Sequence, residues 1–148
     1  MKRFHFPLKS VATVREAKES KARDTFVAAV QVVAKAERHL EGVRSEKAEL
    51  EKMMLQERKQ NAFRASEQMA FIHSHRRLLT RETEAISAVK QAVQVREQRR
   101  DEWMVSRRDV RLIEKLKEAA LKEYRAEAER EAQRLLDDHA NAAVIRAR

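Results

Sequence analysis

The scarcity of glycine and proline constrains this chain more than any other feature of its sequence. Gly42 and Pro7 are the only examples in 148 residues. Folds with many strands and turns need glycine for positive φ angles and proline for fixed φ angles. Sandwiches, barrels and multi-strand α/β folds are therefore strongly disfavoured. The abundance of Ala, Glu, Lys, Leu and Arg is typical of long helices, so we predict an all-α fold.

Charge and aromatic content limit the kind of core that such helices can form. Charged residues make up 39% of the chain and aromatic residues only 5%, with a formal net charge of +9. A wide globular core cannot be filled from this composition. The chain has no cysteine, which excludes disulfides, thiolate chemistry and Cys-ligated zinc.

No segment of the sequence predicts insertion into a membrane or secretion. The longest apolar stretch, 26–34, is interrupted by Gln31 and is far shorter than the roughly 20 residues of a membrane span. Residues 1–7 lack the apolar region and cleavage site of a secretory signal. We therefore expect a cytoplasmic protein.

Apolar residues recur at steps of three and four along two segments, which predicts two amphipathic helices. The first stripe is Leu8, Val11, Val14, Phe26, Val30, Val33, Ala36, Leu40, Val43, Leu50 and Met54. The second is Ile72, Leu79, Ile86, Val89, Val93, Trp103, Val110, Ile113, Leu116, Ala120 and Tyr124. Lys47 falls on the first stripe, residues 30, 33 and 36 form a stutter, and Arg96, Arg100 and Arg107 interrupt the second.

A turn between the stripes predicts that the two helices fold back on each other. Asn61 can end a helix in the left-handed conformation, and Ser66 followed by Glu67 can cap the next one. We place helix 1 at about 8–60, the turn at about 61–66 and helix 2 at about 67–145. Residue i then lies opposite about 127 − i, and apolar residues meet. The expected pairs are Leu40 with Ile86, Leu50 with Leu78 or Leu79, Met54 with Ile72, and Phe26 with Trp103.

The predicted fold is a long two-helix antiparallel coiled-coil hairpin whose C-terminal helix overhangs. Val11 lies opposite Leu116 in this register, so residues beyond about 118 have no expected partner in the chain. Leu121, Tyr124 and Leu135 lie in this part. Unpaired apolar positions on a projecting helix indicate a docking surface for another protein.

Charge divides unevenly along the hairpin. Residues 58–81, around the turn, carry a net charge of +5, whereas residues 114–138 carry −2. A basic tip suits an acidic protein surface.

The sequence offers no constellation for catalysis, cofactor binding or metal binding. A lone glycine excludes both glycine-rich phosphate-loop patterns. His73 and His75 are two residues apart, and a helix points such side chains about 200° apart, so they cannot share a metal ion. A triad needs a pocket that a helical hairpin lacks. We predict no catalytic, cofactor or metal residue, and no enzyme.

An arginine-rich segment, 96–111, raises nucleic-acid binding as an alternative. It holds six arginines and one tryptophan, but Glu97, Asp101, Glu102 and Asp109 alternate with the arginines. That alternation is typical of a solvated, salt-bridged helix face. We therefore expect no nucleic acid partner, although a basic nucleic-acid-binding hairpin and a structural coiled-coil dimer both stay open.

Both ends of the chain resemble FliJ, the general chaperone or stalk protein of flagellar type III export. The N-terminal pattern is Phe4-x-Phe6-x-Leu8-x-x-Val11-x-x-x-Arg15-Glu16. The C-terminal pattern is Glu114-Lys115-Leu116-Lys117-Glu118, then Glu123-Tyr124-Arg125, Glu127, and Leu136-Asp137-Asp138-x-Ala140. The chain departs from the family at Asp138, where Glu is usual, and at Ala132 and Arg134, where Glu and Lys are common.

The resemblance implies a fold and a role. FliJ is similar to the central stalk of rotary ATPases, and the stalk proteins of virulence secretion, the YscO type, share its architecture. It would insert into the hexameric export ATPase FliI, promote ring assembly, couple the ring to the export gate FlhA and engage export chaperones. The expected location is peripheral, at the cytoplasmic face of the inner membrane at the flagellar base.

Two sets of interface candidates follow from this resemblance and from the charge pattern. The candidates for the ATPase interface are Phe4, Phe6, Leu8, Leu116, Leu121, Tyr124, Leu135 and Leu136. The candidates for the export-gate interface are Arg64, Phe71, Ile72, Arg76 and Arg77.

Overall fold

The computed structural model of the chain is a helical hairpin, as predicted. It describes residues 4–60 and 64–146, with side chains through residue 142. Helix α1 spans Lys9–Lys59 and helix α2 spans Ala65–Arg146, and no strand occurs in these ranges. The predicted bounds were about 8–60 and 67–145. Neither helix contains, within the described residues, a segment with the length and hydropathy of a membrane span.

Contacts within the chain separate into two compact units. Unit 1 comprises Met1–Lys21 and Met104–Arg148, and unit 2 comprises Ala22–Trp103. Each unit therefore contains a segment of both helices.

The register of the two helices in unit 2 is the predicted one. Phe26 stacks on Trp103, with ring centroids 5.5 Å apart, which confirms that expected pair. The Arg81 guanidinium lies 2.7 Å from a Glu46 carboxylate oxygen. Both pairs have numbers that add to within two of 127, as the predicted register requires.

The seam of α1 is more regular than the sequence pattern indicated. Ala29, Val33 and Val43 are its buried members. Val30 was expected in the seam, yet it is 41% exposed whereas Ala29 is 7% exposed. The predicted stutter is therefore wrong, because the seam steps from 26 to 29, 33 and 36 without a break. The small Ala29 side chain faces α2, and the larger valine lies on the flank.

Between residues 71 and 86 the seam of α2 lies one residue earlier than predicted, whereas Val89, Trp103 and Ile113 are half-buried as expected. Leu78 and Ala85 are buried, whereas Ile72, Leu79 and Ile86 are 42%, 43% and 45% exposed. Ile86 and Ile72, the expected partners of Leu40 and Met54, therefore lie on the flank of the seam.

Polar partners on α1 explain this shift. With Leu78 and Ala85 in the seam, His75 and Glu82 also fall on seam positions. His75 meets Glu51 and Glu82 meets Lys47, so these polar residues are satisfied across the hairpin. A polarity pattern read along one helix cannot anticipate partners on the other.

Arg64, not Ser66, caps the start of α2. Its carbonyl oxygen accepts hydrogen bonds from the backbone N–H groups of Glu67 and Gln68, each at 3.1 Å. The Glu67 carboxylate in turn accepts the Arg64 backbone N–H at 3.1 Å, which is one half of a capping box. Ser66 therefore lies inside the first turn. Asn61 lies outside the described residues.

Candidate functional site: two protein-interaction surfaces

The segment before α1 packs along α2 in unit 1. The Phe4 ring lies 5.4 Å from the Tyr124 ring at an interplanar angle of 56°, and Phe6 is 9% exposed. The expectation that Tyr124 has no partner in the chain is therefore wrong. Residues 4–8 are not helical, but they continue the packing of α1 along α2 and reach positions that a register of helices alone leaves uncovered.

An ion pair between Arg15 and Asp109 joins α1 to α2 in the same unit. Both side chains are more than a third exposed, so the pair is worth at most about 1 kcal/mol of unfolding free energy. Arg15 belongs to the N-terminal pattern that resembles FliJ, and in this structure it forms an ion pair with α2.

The exposure of the eight ATPase-interface candidates separates them into two kinds. Phe4, Leu121 and Tyr124 are half-buried and Phe6 is buried, so these side chains contribute to the packing of unit 1. The other four expose more than a third of their surface: Leu8, Leu116, Leu135 and Leu136.

The most exposed part of α2 lies near its C-terminal end. Every residue from Glu131 to Ala142 is exposed. Leu135 and Leu136 are 57% and 64% exposed there. We call residues 131–142 the exposed arm. Adjacent leucines that remain in water on a regular helix mark a surface suited to another protein.

The described residues between 58 and 81, called the basic tip below, carry the other candidate surface. Arg64, Arg76 and Arg77 are exposed, and none of the described carboxylates forms an ion pair with Arg76 or Arg77. Arg81 differs, because Glu46 on α1 compensates its charge. The positive field of the tip therefore arises mainly from its other basic residues.

Apolar side chains accompany the charges of the basic tip. Phe71 is half-buried and stacks on His75, with ring centroids 5.5 Å apart. Ile72 is 42% exposed. Two further apolar side chains, Met53 on α1 and Met69 on α2, were not predicted as part of this surface. They are 58% and 56% exposed. Both are apolar residues next to seam positions, and this pattern could have predicted their exposure on the surface.

A polar cluster interrupts the apolar seam of unit 2. The Glu82 carboxylate accepts hydrogen bonds from Lys47 at 2.5 Å and from Arg44 at 3.2 Å. These two bonds hold the pKa of Glu82 below its ordinary value of 4.5. Lys47 was recognised in the sequence as an interruption of the stripe, but its partner was not.

The arginine-rich segment 96–111 forms the salt-bridged face that its alternating charges predicted. Glu97 pairs with Arg96 at 2.6 Å and with Arg100 at 3.0 Å, and Arg99 pairs with Glu102 at 2.8 Å. The aromatic ring of this segment, Trp103, stacks on Phe26 in the hairpin. Arg96, Arg99, Arg100 and Trp103 therefore have partners within the chain.

Comparison with known protein families assigns the chain to one of them. The family model described as "Flagellar FliJ protein" matches residues 4–148. The chain belongs to the FliJ family. No curated protein and no solved structure matches it. FliJ membership identifies the chain as a component of the flagellar export apparatus. Within the described residues, no group of three or more His, Asp or Glu side chains could hold a metal ion.

Proposed function

We propose that the chain is a non-enzymatic stalk and general chaperone component of the flagellar export apparatus. In this role it inserts into the ring of the export ATPase FliI, promotes ring assembly and couples the ring to the export gate FlhA. It also engages export chaperones, and it works at the cytoplasmic face of the inner membrane at the flagellar base. The observation that carries the proposal is the FliJ family match over residues 4–148.

The ATPase-binding surface is assigned to unit 1. This unit contains both segments that resemble the family's end patterns, and it contains the exposed arm. Leu135 and Leu136 are exposed, so they can bury apolar surface against a partner without breaking contacts within unit 1. Fully burying one leucine side chain favours binding by about 1.5–3 kcal/mol.

The gate-binding surface is assigned to the basic tip in unit 2. Exposed arginines attract an acidic partner over a distance, and exposed Ile72 and Met69 offer apolar contact once the partner has arrived. This combination of a charged rim with apolar side chains is typical of protein interfaces that form and separate.

Copurification with FliI tests the ATPase assignment, because the chain offers a matched control. Leu135→Ala/Leu136→Ala removes the exposed leucines of the arm, and Leu112→Ala removes a leucine of unit 1 that is 60% exposed but lies outside the candidate set. The proposal predicts that the double variant loses FliI while Leu112→Ala retains it. Equal retention by the two variants would remove the exposed arm from the interface.

A further inference from the structure

An ion pair occupies facing seam positions in the middle of unit 2. Lys47 Nζ lies 2.5 Å from Glu82 Oε2, and Arg44 Nε lies 3.2 Å from Glu82 Oε1. The Glu82 side chain is 15% exposed and that of Lys47 is 24% exposed, whereas Arg44 is 51% exposed. The Lys47–Glu82 pair is therefore largely removed from water, and Arg44 reaches it from the surface.

The pair lies among the most deeply buried apolar residues that the structure describes. Val43 is 1% exposed, Ala85 4% and Leu78 9%. Removing two charges from water costs desolvation energy, and well-packed apolar residues in their place are often neutral or stabilising. Stability alone therefore does not explain why two charges stand at this level of the seam.

We propose that the Lys47–Glu82 pair selects the antiparallel hairpin, in its observed register, over parallel pairing of two copies of the chain. In a parallel in-register dimer each seam residue faces its own copy. Lys47 would then meet a second lysine and Glu82 a second glutamate, both largely out of water. Like charges so placed are strongly unfavourable, whereas the hairpin brings opposite charges together.

The same pair discriminates between registers within the hairpin. A slip of one heptad would place Lys47 opposite His75 or Val89, and Glu82 opposite Leu40 or Met54. Each slipped register leaves a carboxylate in an apolar layer without its lysine. The neighbouring seam residues are mostly alanine, valine and leucine, which pack acceptably at many levels and specify the register weakly.

The absence of native cysteine makes the proposal testable by site-specific cross-linking. The test variant, Lys47→Leu/Glu82→Leu, removes both charges. Ala85→Cys on this background reports parallel in-register dimers, because facing copies of one seam residue then form an interchain disulfide. Glu46→Cys/Arg81→Cys, joined by a short bifunctional maleimide, reports the observed register. Met53→Cys/Arg81→Cys and His39→Cys/Arg81→Cys report the two slipped registers.

The charge-swapped variant, Arg44→Glu/Lys47→Glu/Glu82→Lys, is the matched control, and it includes Arg44 because that side chain also contacts Glu82. It keeps opposite charges together in the hairpin and like charges together in a parallel dimer. We therefore expect this variant and the wild type to behave alike, each with a monomeric mass by light scattering and efficient maleimide cross-linking of 46 to 81 alone.

The proposal predicts a different result for the double leucine variant. Its thermal midpoint should equal or exceed that of the wild type, while interchain disulfides at 85 or cross-links of a slipped pair become abundant. If it remains a monomer with the 46–81 cross-link alone, the proposal is wrong. Loss of helical circular dichroism in this variant would also overturn it, because the pair would then supply stability rather than selection. Dimers of the charge-swapped variant would contradict it as well.

Discussion

Phe26 and Trp103 lie face to face across the hairpin, with ring centroids 5.5 Å apart and ring planes inclined by 12°. Both rings are half-buried. A stacked aromatic pair contributes about 0.5–1.5 kcal/mol beyond the area that it buries. This pair joins α1 to α2 at one end of unit 2.

Phe26→Ala should therefore destabilise the hairpin measurably. We expect the free energy of unfolding to fall by about 2–3 kcal/mol, because the substitution removes both the buried ring area and the stacking. Urea unfolding followed by circular dichroism measures the change, and emission from Trp103, the only tryptophan, should shift to the red. Val27→Ala is the control, because Val27 is 48% exposed. If both variants lose the same free energy of unfolding, the stacked ring pair makes no particular contribution to stability.

Gly42 should be replaceable with a gain in stability. It lies on an exposed position inside α1, and a Cβ added there meets nothing within 4 Å. Alanine in the interior of a helix is about 1 kcal/mol more favourable than glycine. Gly42→Ala should accordingly raise the urea midpoint without changing the slope of the transition. A lower midpoint would indicate that the glycine is needed for the geometry of the helix.

The Glu82 cluster should make stability depend on pH in one direction. Hydrogen bonds from Lys47 and Arg44 lower the pKa of Glu82 in the folded chain. A carboxylate with a lowered folded pKa stabilises the fold above its unfolded pKa, and this stabilisation is lost as the pH falls through the folded value. The difference in unfolding free energy between wild type and Glu82→Gln should therefore be largest near neutral pH and become smaller below about pH 4.5. A difference that is constant from neutral to acidic pH would contradict the assignment.

Glu84→Gln provides the matched control for this titration. Glu84 is an exposed carboxylate two residues away on α2. Its substitution should leave the pH dependence of stability nearly as in the wild type.

If the proposed ATPase interface includes Tyr124, Tyr124→Ala should weaken binding to FliI by about 1–3 kcal/mol, because large amphipathic side chains dominate interfaces. The Phe4 contact complicates this test, since the variant also releases the N-terminal segment. Phe4→Ala breaks the same contact and retains the tyrosine. Binding to FliI measured by calorimetry should fall further for Tyr124→Ala than for Phe4→Ala. Equal losses would mean that Tyr124 contributes no more to binding than the contact it shares with Phe4.

Charge reversal at the basic tip should slow association with the gate. Arg64→Glu/Arg76→Glu/Arg77→Glu replaces three exposed positive charges, and charges of this kind mainly accelerate encounter. Association with the cytoplasmic domain of FlhA should slow most at low salt, with a flatter dependence on ionic strength. Arg38→Glu/Arg108→Glu/Arg111→Glu has the same net charge but lies outside the tip. If both triple variants associate equally fast at low salt, the tip has no steering role.

The helical hairpin could be predicted from the sequence because the residues that determine it form local, periodic patterns. One glycine, one proline and repeated apolar steps predict two long helices, and the fold about residue 63 follows from matching the two stripes. The position of the α2 seam between residues 71 and 86 could not be predicted from the sequence, because Glu82 and His75 have their partners, Lys47 and Glu51, on the other helix. The contact between Phe4 and Tyr124 was missed for a similar reason, because it involves a segment that is not helical.

The hydrolysis rate of purified FliI, measured while the full chain is titrated into it, tests the proposed role most directly. A stalk that promotes ring assembly should raise the rate with saturation. Leu135→Ala/Leu136→Ala should shift that curve to higher concentration, while Leu112→Ala should leave it in place. A rate that does not respond to the wild-type chain at any concentration would contradict the proposed function.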